Sequence, residues 1–166
     1  MNVNDVGLQY LSRARNLRIL NLSETQLTDR GMVAIGTMTQ LQSLGLDSTN
    51  VTNAGLLRLK RMRNLRVLAL GGTQVTDAGL VLLKGLKNLQ ALTLNNTSVS
   101  DVGLQQLKGL ENLQALHLST TRVTDAGLAQ LHLLKNLQTV SLYGTQVTDA
   151  GVNDLQAALP KCKIVK

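Results

Sequence analysis

The sequence contains no tryptophan, no phenylalanine and only two tyrosines, Tyr10 and Tyr143, in 166 residues. Yet 43% of it is hydrophobic, enough for a continuous core within one domain. That core must be filled with Leu, Val, Ile and Ala, which favours many small, similar packing layers over one large irregular interior. Cys162 is the single cysteine, so no disulfide can form within the chain, and a reducing compartment, the cytoplasm, is expected. Residues 1–12 lack the basic start and apolar run of a secretory signal. Nor does any stretch approach the ~18 consecutive apolar residues of a membrane span. There is no phosphate loop and no HExxH or CxxC motif, so neither cofactor nor metal is expected.

What is present is a period. Leu17, Leu41, Leu65, Leu89, Leu113 and Leu137 stand 24 residues apart, as do Leu20, Leu44, Leu68, Leu92, Leu116 and Val140. Leu22 through Leu142 form a third column, Thr25 through Thr145 a fourth, and Gly7 through Gly151 a fifth. The Leu-x-Leu pair, such as Leu68 and Leu70, has period two and predicts a short strand with both side chains on one face. Leu80, Leu83 and Leu86 recur every third residue and predict a short helix with one buried stripe. Each unit is therefore a strand–turn–helix coil. Stacked coils place the strands in a parallel sheet and the helices on the opposite side.

The turn is legible as well. Thr28, Thr52, Thr76, Ser100, Thr124 and Thr148 occupy helix N-cap positions, with Asn4 equivalent in a first, partial unit. Asp29, Asp77, Asp101, Asp125 and Asp149 follow, with Asn53 in the same column, and place carboxylates at the positive helix ends. The glycine two residues later implies close approach of neighbouring layers. The Thr25 column is expected to turn its hydroxyl inward onto loop backbone. A single domain over residues 1–166 follows, with a partial repeat at 1–16 and repeats starting at 17, 41, 65, 89, 113 and 137. Residues 159–166 form a terminal cap or strand, Pro160 halting the last helix and Ile164 extending the Val140 column.

The unit Leu-x-x-Leu-x-Leu-x-x-Thr-x-Val-Thr-Asp-Ala-Gly-Leu-x-x-Leu resembles the cysteine-containing leucine-rich repeats of F-box-type and bacterial proteins, the ribonuclease-inhibitor-like type. In them a Cys or Asn holds the column filled here by Thr. The ending Ala158-Leu159-Pro160-Lys161-Cys162-Lys163-Ile164 resembles the close of bacterial repeat arrays. The resemblance implies an α/β leucine-rich-repeat solenoid, a curved right-handed coil with a parallel sheet on the concave side and short helices on the convex side. It implies a non-catalytic scaffold for protein partners and says nothing of which partner.

Solenoids of this kind usually bind through the concave sheet. The side chains there are small, neutral and polar: Asn21, Ser23, Asp47, Thr93, Asn95, His117, Ser119, Ser141 and Tyr143 are the candidate partner-binding residues. His117 and Tyr143 lie on adjacent strands about 5 Å apart with a two-residue offset, so their side chains could touch. The plain alternative is that both merely coat an exposed sheet. A Ser–His–Asp arrangement fails on distance, because Asp47 lies three strands from His117, about 14 Å. His132, on a helix across the sheet, cannot join His117 on a metal.

The net charge is +7. Most of the basic excess follows helix dipoles, acids at helix starts and bases at helix ends. One cluster exceeds that pattern: Arg58, Lys60, Arg61, Arg63 and Arg66, which the period is expected to stack beside Arg13, Arg15 and Arg18. It suits an acidic protein or a phosphate backbone, although without aromatic stacking partners nucleic acid is disfavoured. The first unit lacks a strand and a polar cap, which points to an excised domain or to a dimer through that end. Three readings stand: a concave-face protein scaffold, electrostatic docking on the basic edge, and an excised or engineered array with no partner of its own.

Overall fold

The computed structural model describes Asp5, residues 7–11 and residues 13–166. The cap expected at Asn4 lies outside the described residues. Three-residue strands recur at every Leu-x-Leu: β1 Ile19–Asn21, β2 Ser43–Gly45, β3 Val67–Ala69, β4 Ala91–Thr93, β5 Ala115–His117, β6 Thr139–Ser141 and β7 Lys163–Val165. They form a parallel sheet in chain order, β1-β2-β3-β4-β5-β6-β7. The register pairs Ile19 with Ser43, Ser43 with Val67, and so on to Thr139 with Lys163, with Val140 beside Ile164 in the central column. The central residue of β1–β6 points into the core and its two neighbours point away. This is the period-two reading realised.

The helical side is α1 Leu8–Leu11, α2 Gly31–Ile35, α3 Asn53–Leu56, α4 Asp77–Leu80, α5 Asp101–Leu104, α6 Asp125–Leu128 and α7 Asp149–Ala158. After each of α3–α6 the chain tightens into five residues of 3-10 helix. The leucine spacing explains this. At three residues per turn, Leu80, Leu83 and Leu86 eclipse one another, and all three are fully buried. The last repeat departs because its buried Leu155 and Leu159 are four apart where the other repeats space these leucines by three, and α7 runs ten residues as a regular α-helix. It stops before Pro160, and β7 completes the sheet. Among the described residues no helix is long and apolar enough to cross a membrane.

Leucine layers supply the bulk of the stabilisation, about 1.5–3 kcal/mol for each buried side chain. Polar groups fasten one layer to the next. The Thr25 column behaves as expected: Thr49, Thr73, Thr97 and Thr121 are buried, and each donates its hydroxyl to the carbonyl three residues back at 2.6–2.7 Å. The aspartates do more than face helix dipoles. Asp101 accepts the Thr124 N–H at 2.8 Å and the Thr124 hydroxyl at 2.7 Å, one repeat on. The Thr124 hydroxyl in turn accepts the N–H of Ala126, capping α6. Asp5, Asp29, Asp77 and Asp125 clasp Thr28, Thr52, Ser100 and Thr148 in the same way.

The glycine column makes room for these carboxylates. A Cβ at Gly55 would sit 2.5 Å from Asp29 Oδ1, and one at Gly127 would collide with Asp101. Close approach was expected, but its object is the neighbour's carboxylate rather than the helix and strand layers alone. Two caps differ from expectation. Asn53 replaces the aspartate and donates Nδ2–H to Thr76 Oγ1 at 2.8 Å, and Thr76 makes no side-chain cap bond. Helix α2 starts later, with Arg30 at its N-cap position, and Thr28 accepts the Arg30 N–H at 3.2 Å.

A further ladder has no counterpart in the sequence reading. Asn64, Asn88, Asn112 and Asn136 each donate a side-chain N–H to a carbonyl of the preceding repeat at 2.7–2.9 Å. Gln40 does the same to Ala14 at 3.1 Å.

The clasp should show as coupling. Asp101→Ala alone is expected to cost about 1–3 kcal/mol, and Gly127→Ala alone a similar amount through steric conflict. Because the second penalty needs the carboxylate, the double variant should lose clearly less than the sum, as measured by urea unfolding. At the other end of the pH scale, the Asp125 carboxyl sits below its usual 3.8, chiefly through the Thr148 hydroxyl, then the Thr148 N–H, with Lys166 assisting. A depressed carboxylate stabilises the fold above its unfolded value. That contribution should disappear as pH falls below 3.8, and Asp125→Asn should flatten this part of the stability–pH curve.

Candidate functional site

The outward side chains of the strands and of the residue two beyond each strand make one continuous face. Along it run Ile19, Ser43, Val67, Ala91, Ala115 and Thr139, then Asn21, Gly45, Ala69, Thr93, His117 and Ser141, then Ser23, Asp47, Gly71, Asn95, Ser119 and Tyr143. Ile19 is 69% exposed and Tyr143 73%, at opposite ends. Between them lie Gly45, Ala69, Gly71 and Ala91. Beside Ile19 the small residues of β2 and β3 leave a shallow hollow of about 240 Å³, lined by Ile19, Asn21, Ser23, Ser43, Gly45, Asp47, Val67 and Ala69.

Several of the candidate side chains are occupied within the fold. Asp47 accepts the Gly71 N–H at 2.7 Å and the Ser23 hydroxyl at 3.3 Å. Asn21 accepts the Ser23 N–H at 3.0 Å, and Asn95 accepts the Ser119 N–H at 2.8 Å. The Ser119 and Ser141 hydroxyls lie 2.9 Å apart and bond each other. These contacts hold loop backbone in register from one repeat to the next. Thr93, His117 and Tyr143 make no side-chain hydrogen bond among the described residues. His117 pairs with Ser141 in register, and Tyr143 follows two residues later, as the sequence placed it. No hydrogen bond joins the two rings.

The Ser–His–Asp set is not assembled, since the serines bond each other and the Asp47 carboxylate is held by Gly71 and Ser23. His132 instead lies with Nε2 3.1 Å from an Asp154 carboxylate oxygen, in a contact that forms no hydrogen bond. No group of three metal-ligating side chains occurs among the described residues. Cys162 is buried beside the terminal strand, and burial pushes its thiol pKa up.

The rim above the face carries a regularity the sequence reading missed. Glu24, Ser48, Gly72, Asn96, Thr120 and Gly144 share one column and one left-handed conformation, φ +52° to +69°. Each turns the chain away from the sheet after the Leu-x-Leu strand. The amide of each residue from Glu24 to Thr120 donates to a carbonyl of the next repeat at 2.7–2.8 Å. Gly72 is the glycine of this turn column in the third repeat.

The basic cluster is divided. Arg58, Lys60 and Arg61 lie on the 3-10 turn after α3, with Arg63 and Arg66 in the following loop. Arg13, Arg15 and Arg18 are not stacked beside them. Arg61, Arg63 and Arg66 lie 48 residues on from Arg13, Arg15 and Arg18, two repeats and about 10 Å away. Thr37, Thr39 and Gln42 hold the repeat between. All eight cations are exposed, and none is ion-paired among the described residues. Lys87 and Lys135, farther along, donate instead to carbonyls of the next repeat.

Two family models, both described as leucine-rich repeat, match residues 63–123 and 13–36. The fold is a leucine-rich-repeat solenoid. No curated protein matches the sequence. An internalin C2 from Listeria monocytogenes is similar at TM-score 0.78 and 29% identity, over 99% of this chain and 66% of that one. An internalin (inlF) from the same organism gives TM-score 0.75 at 22% identity, over 94% of this chain and 49% of that one. A leucine-rich-repeat protein of Leptospira interrogans gives 0.60 at 18%, over 95% and 51%. The chain thus spans about half to two-thirds of these bacterial proteins. At the two lower identities the likeness is one of fold. Leucine-rich-repeat solenoids commonly serve as protein-interaction modules, generally without catalysis.

The left-handed turns carry a testable cost. Thr120 is β-branched at φ +57°, where an L residue loses about 1–2 kcal/mol. Thr120→Gly is expected to stabilise the domain by about 1 kcal/mol, whereas the matching Gly144→Thr should destabilise it by a similar amount. Thermal melts of the two variants check the sign of both.

Proposed function

We propose that this chain is a protein-binding module that engages its partner through the concave sheet face, with Tyr143 and the hollow beside Ile19 as its two anchor points. The observation that carries the reading is the distribution of exposure on that face. The two largest apolar exposures, Ile19 and Tyr143, stand far apart on it, and structural bonds consume Asp47, Asn95, Ser119 and Ser141 between them. Tyr143 brings an amphipathic ring with few rotamers to lose, the kind of residue that dominates interface energetics. His117, on the neighbouring strand, supplies a donor and an acceptor with no partner among the described residues. Five strand spacings separate the two ends, about 24 Å, a span that suits a standard interface of about 800 Å² per partner.

The small residues in the middle of the face favour a partner that approaches the sheet closely. Gly45, Ala69 and Gly71 leave backbone and the half-buried Asp47 within reach of an inserted side chain. The Thr49, Thr73, Thr97 and Thr121 hydroxyls, satisfying buried loop carbonyls where related repeats use Cys or Asn, support placing the chain in the ribonuclease-inhibitor-like branch.

Photocrosslinking tests this reading. A crosslinker at Tyr143 should trap a protein partner that a crosslinker at Arg61 does not. Tyr143→Ala is expected to weaken retention of that partner about tenfold or more, and Ile19→Ser to weaken it less. Charge reversal at Arg58 and Arg61 should leave it intact. Retention that survives Tyr143→Ala and Ile19→Ser together overturns the concave-face assignment.

A further inference from the structure

The convex side carries a surface that the concave reading leaves unused. Val33, Leu57 and Val81 occupy one column and are 51%, 46% and 45% exposed. The next two repeats put Gln105 and Ala129 there, so the apolar stripe covers three repeats and ends. Where the stripe begins, the basic columns are interrupted. Gly36 and Thr37 stand where the next repeat has Lys60 and Arg61. Losing two long side chains opens a hollow of about 470 Å³, walled by Val33, Thr37, Leu57, Arg58, Lys60 and Arg61. Gly36 also lets the next turn lean inward, since a Cβ there would meet the Arg58 Cβ and carbonyl oxygen at 2.9 Å.

Charge is one-sided around the hollow. Arg58, Lys60 and Arg61 form one wall, and Arg13 and Arg15 stand beyond the intervening repeat. None of them is ion-paired, because the aspartates are committed at the helix starts to threonine hydroxyls and amides. An exposed apolar floor beneath unpaired cations selects for a ligand with both an apolar side chain and negative charge.

We propose that this hollow docks an acidic protein segment. One apolar side chain sits against Val33 and Leu57, and flanking carboxylates meet Arg58, Lys60 and Arg61. A phosphate backbone would use the cations but gain nothing from the apolar floor, and no residue lining the hollow is aromatic, the exposed Tyr10 standing one repeat before it on α1. A bilayer surface would need the apolar groups to protrude, and here Val33 and Leu57 wall a recess. The site is independent of the concave face, so either can fail without the other.

The probe is a short fluorescein-labelled peptide of glutamates around one central leucine, read by anisotropy on the intact chain. Binding is expected, weaker at high salt, and weaker again when the peptide's leucine becomes alanine. Arg58→Glu with Arg61→Glu should weaken binding about tenfold or more, while Tyr143→Ala should leave it unchanged. Thr37→Arg decides between a hollow and a mere charged patch. It adds a cation at an exposed position but fills the recess, so docking predicts weaker binding and simple attraction predicts tighter. Thermal melts confirm that each variant is folded. The proposal is overturned if the peptide does not bind, or if Thr37→Arg binds it as well or better. Tighter binding of duplex DNA of equal charge, or of phosphatidylserine vesicles, also overturns it.

Discussion

No single coil of this protein can bury its own leucines, so every repeat depends on the next one lying in register against it. That register is held by a small polar clasp. A carboxylate from one repeat accepts the amide and hydroxyl of a threonine or serine in the next, over a glycine that leaves it room. The hydroxyl passes the constraint on by accepting from its own helix start. Leucine layers supply most of the favourable free energy, but they are smooth and would tolerate slippage. Directional bonds to fixed backbone groups do not. The 3-10 turns, the sheet register and the left-handed rim all follow from coils kept at one spacing.

This division of labour governs what is left for recognition. Asp47, Asn95 and Ser119 look available as sequence letters, yet each is tied to a neighbouring repeat. Among the positions that escape such duty, the period is broken by size at Ile19 and Tyr143 on the sheet and at Gly36 and Thr37 on the convex side. A repeat protein with almost no aromatic residues thus concentrates its distinctive chemistry in a few interruptions. Arg58, Lys60 and Arg61 stand unpaired while most of the aspartates are committed to neighbouring repeats. Charge segregation here is a consequence of the clasp as much as of helix dipoles.

Much of this was legible in the letters. The period-two leucines marked every strand, the threonine column announced its inward hydroxyl, and Pro160 marked the end of α7. The role of the Asn64–Asn136 column was missed because an asparagine before a leucine carries no local signature. Its partner carbonyl lies 25 residues back and becomes a neighbour only after stacking. Thr76 shows the same limit. Its failure to cap α4 accompanies an amide donor at Asn53, a repeat away, where its counterparts meet a carboxylate. The separation of the two basic clusters by one repeat could have been counted from the period. The recess between them could not.

The sequence by itself determined the coil: its length, its strand and helical stripes, and which side chains face inward, because those depend on local periodicity and steric preference. Only the tertiary structure decided which polar side chains are spent on neighbouring repeats and which remain for a partner. It also decided where missing bulk becomes a hollow. Those properties belong to pairs of residues about 24 apart in the chain, and hydrogen bonds and cavities exist only once such pairs are brought together.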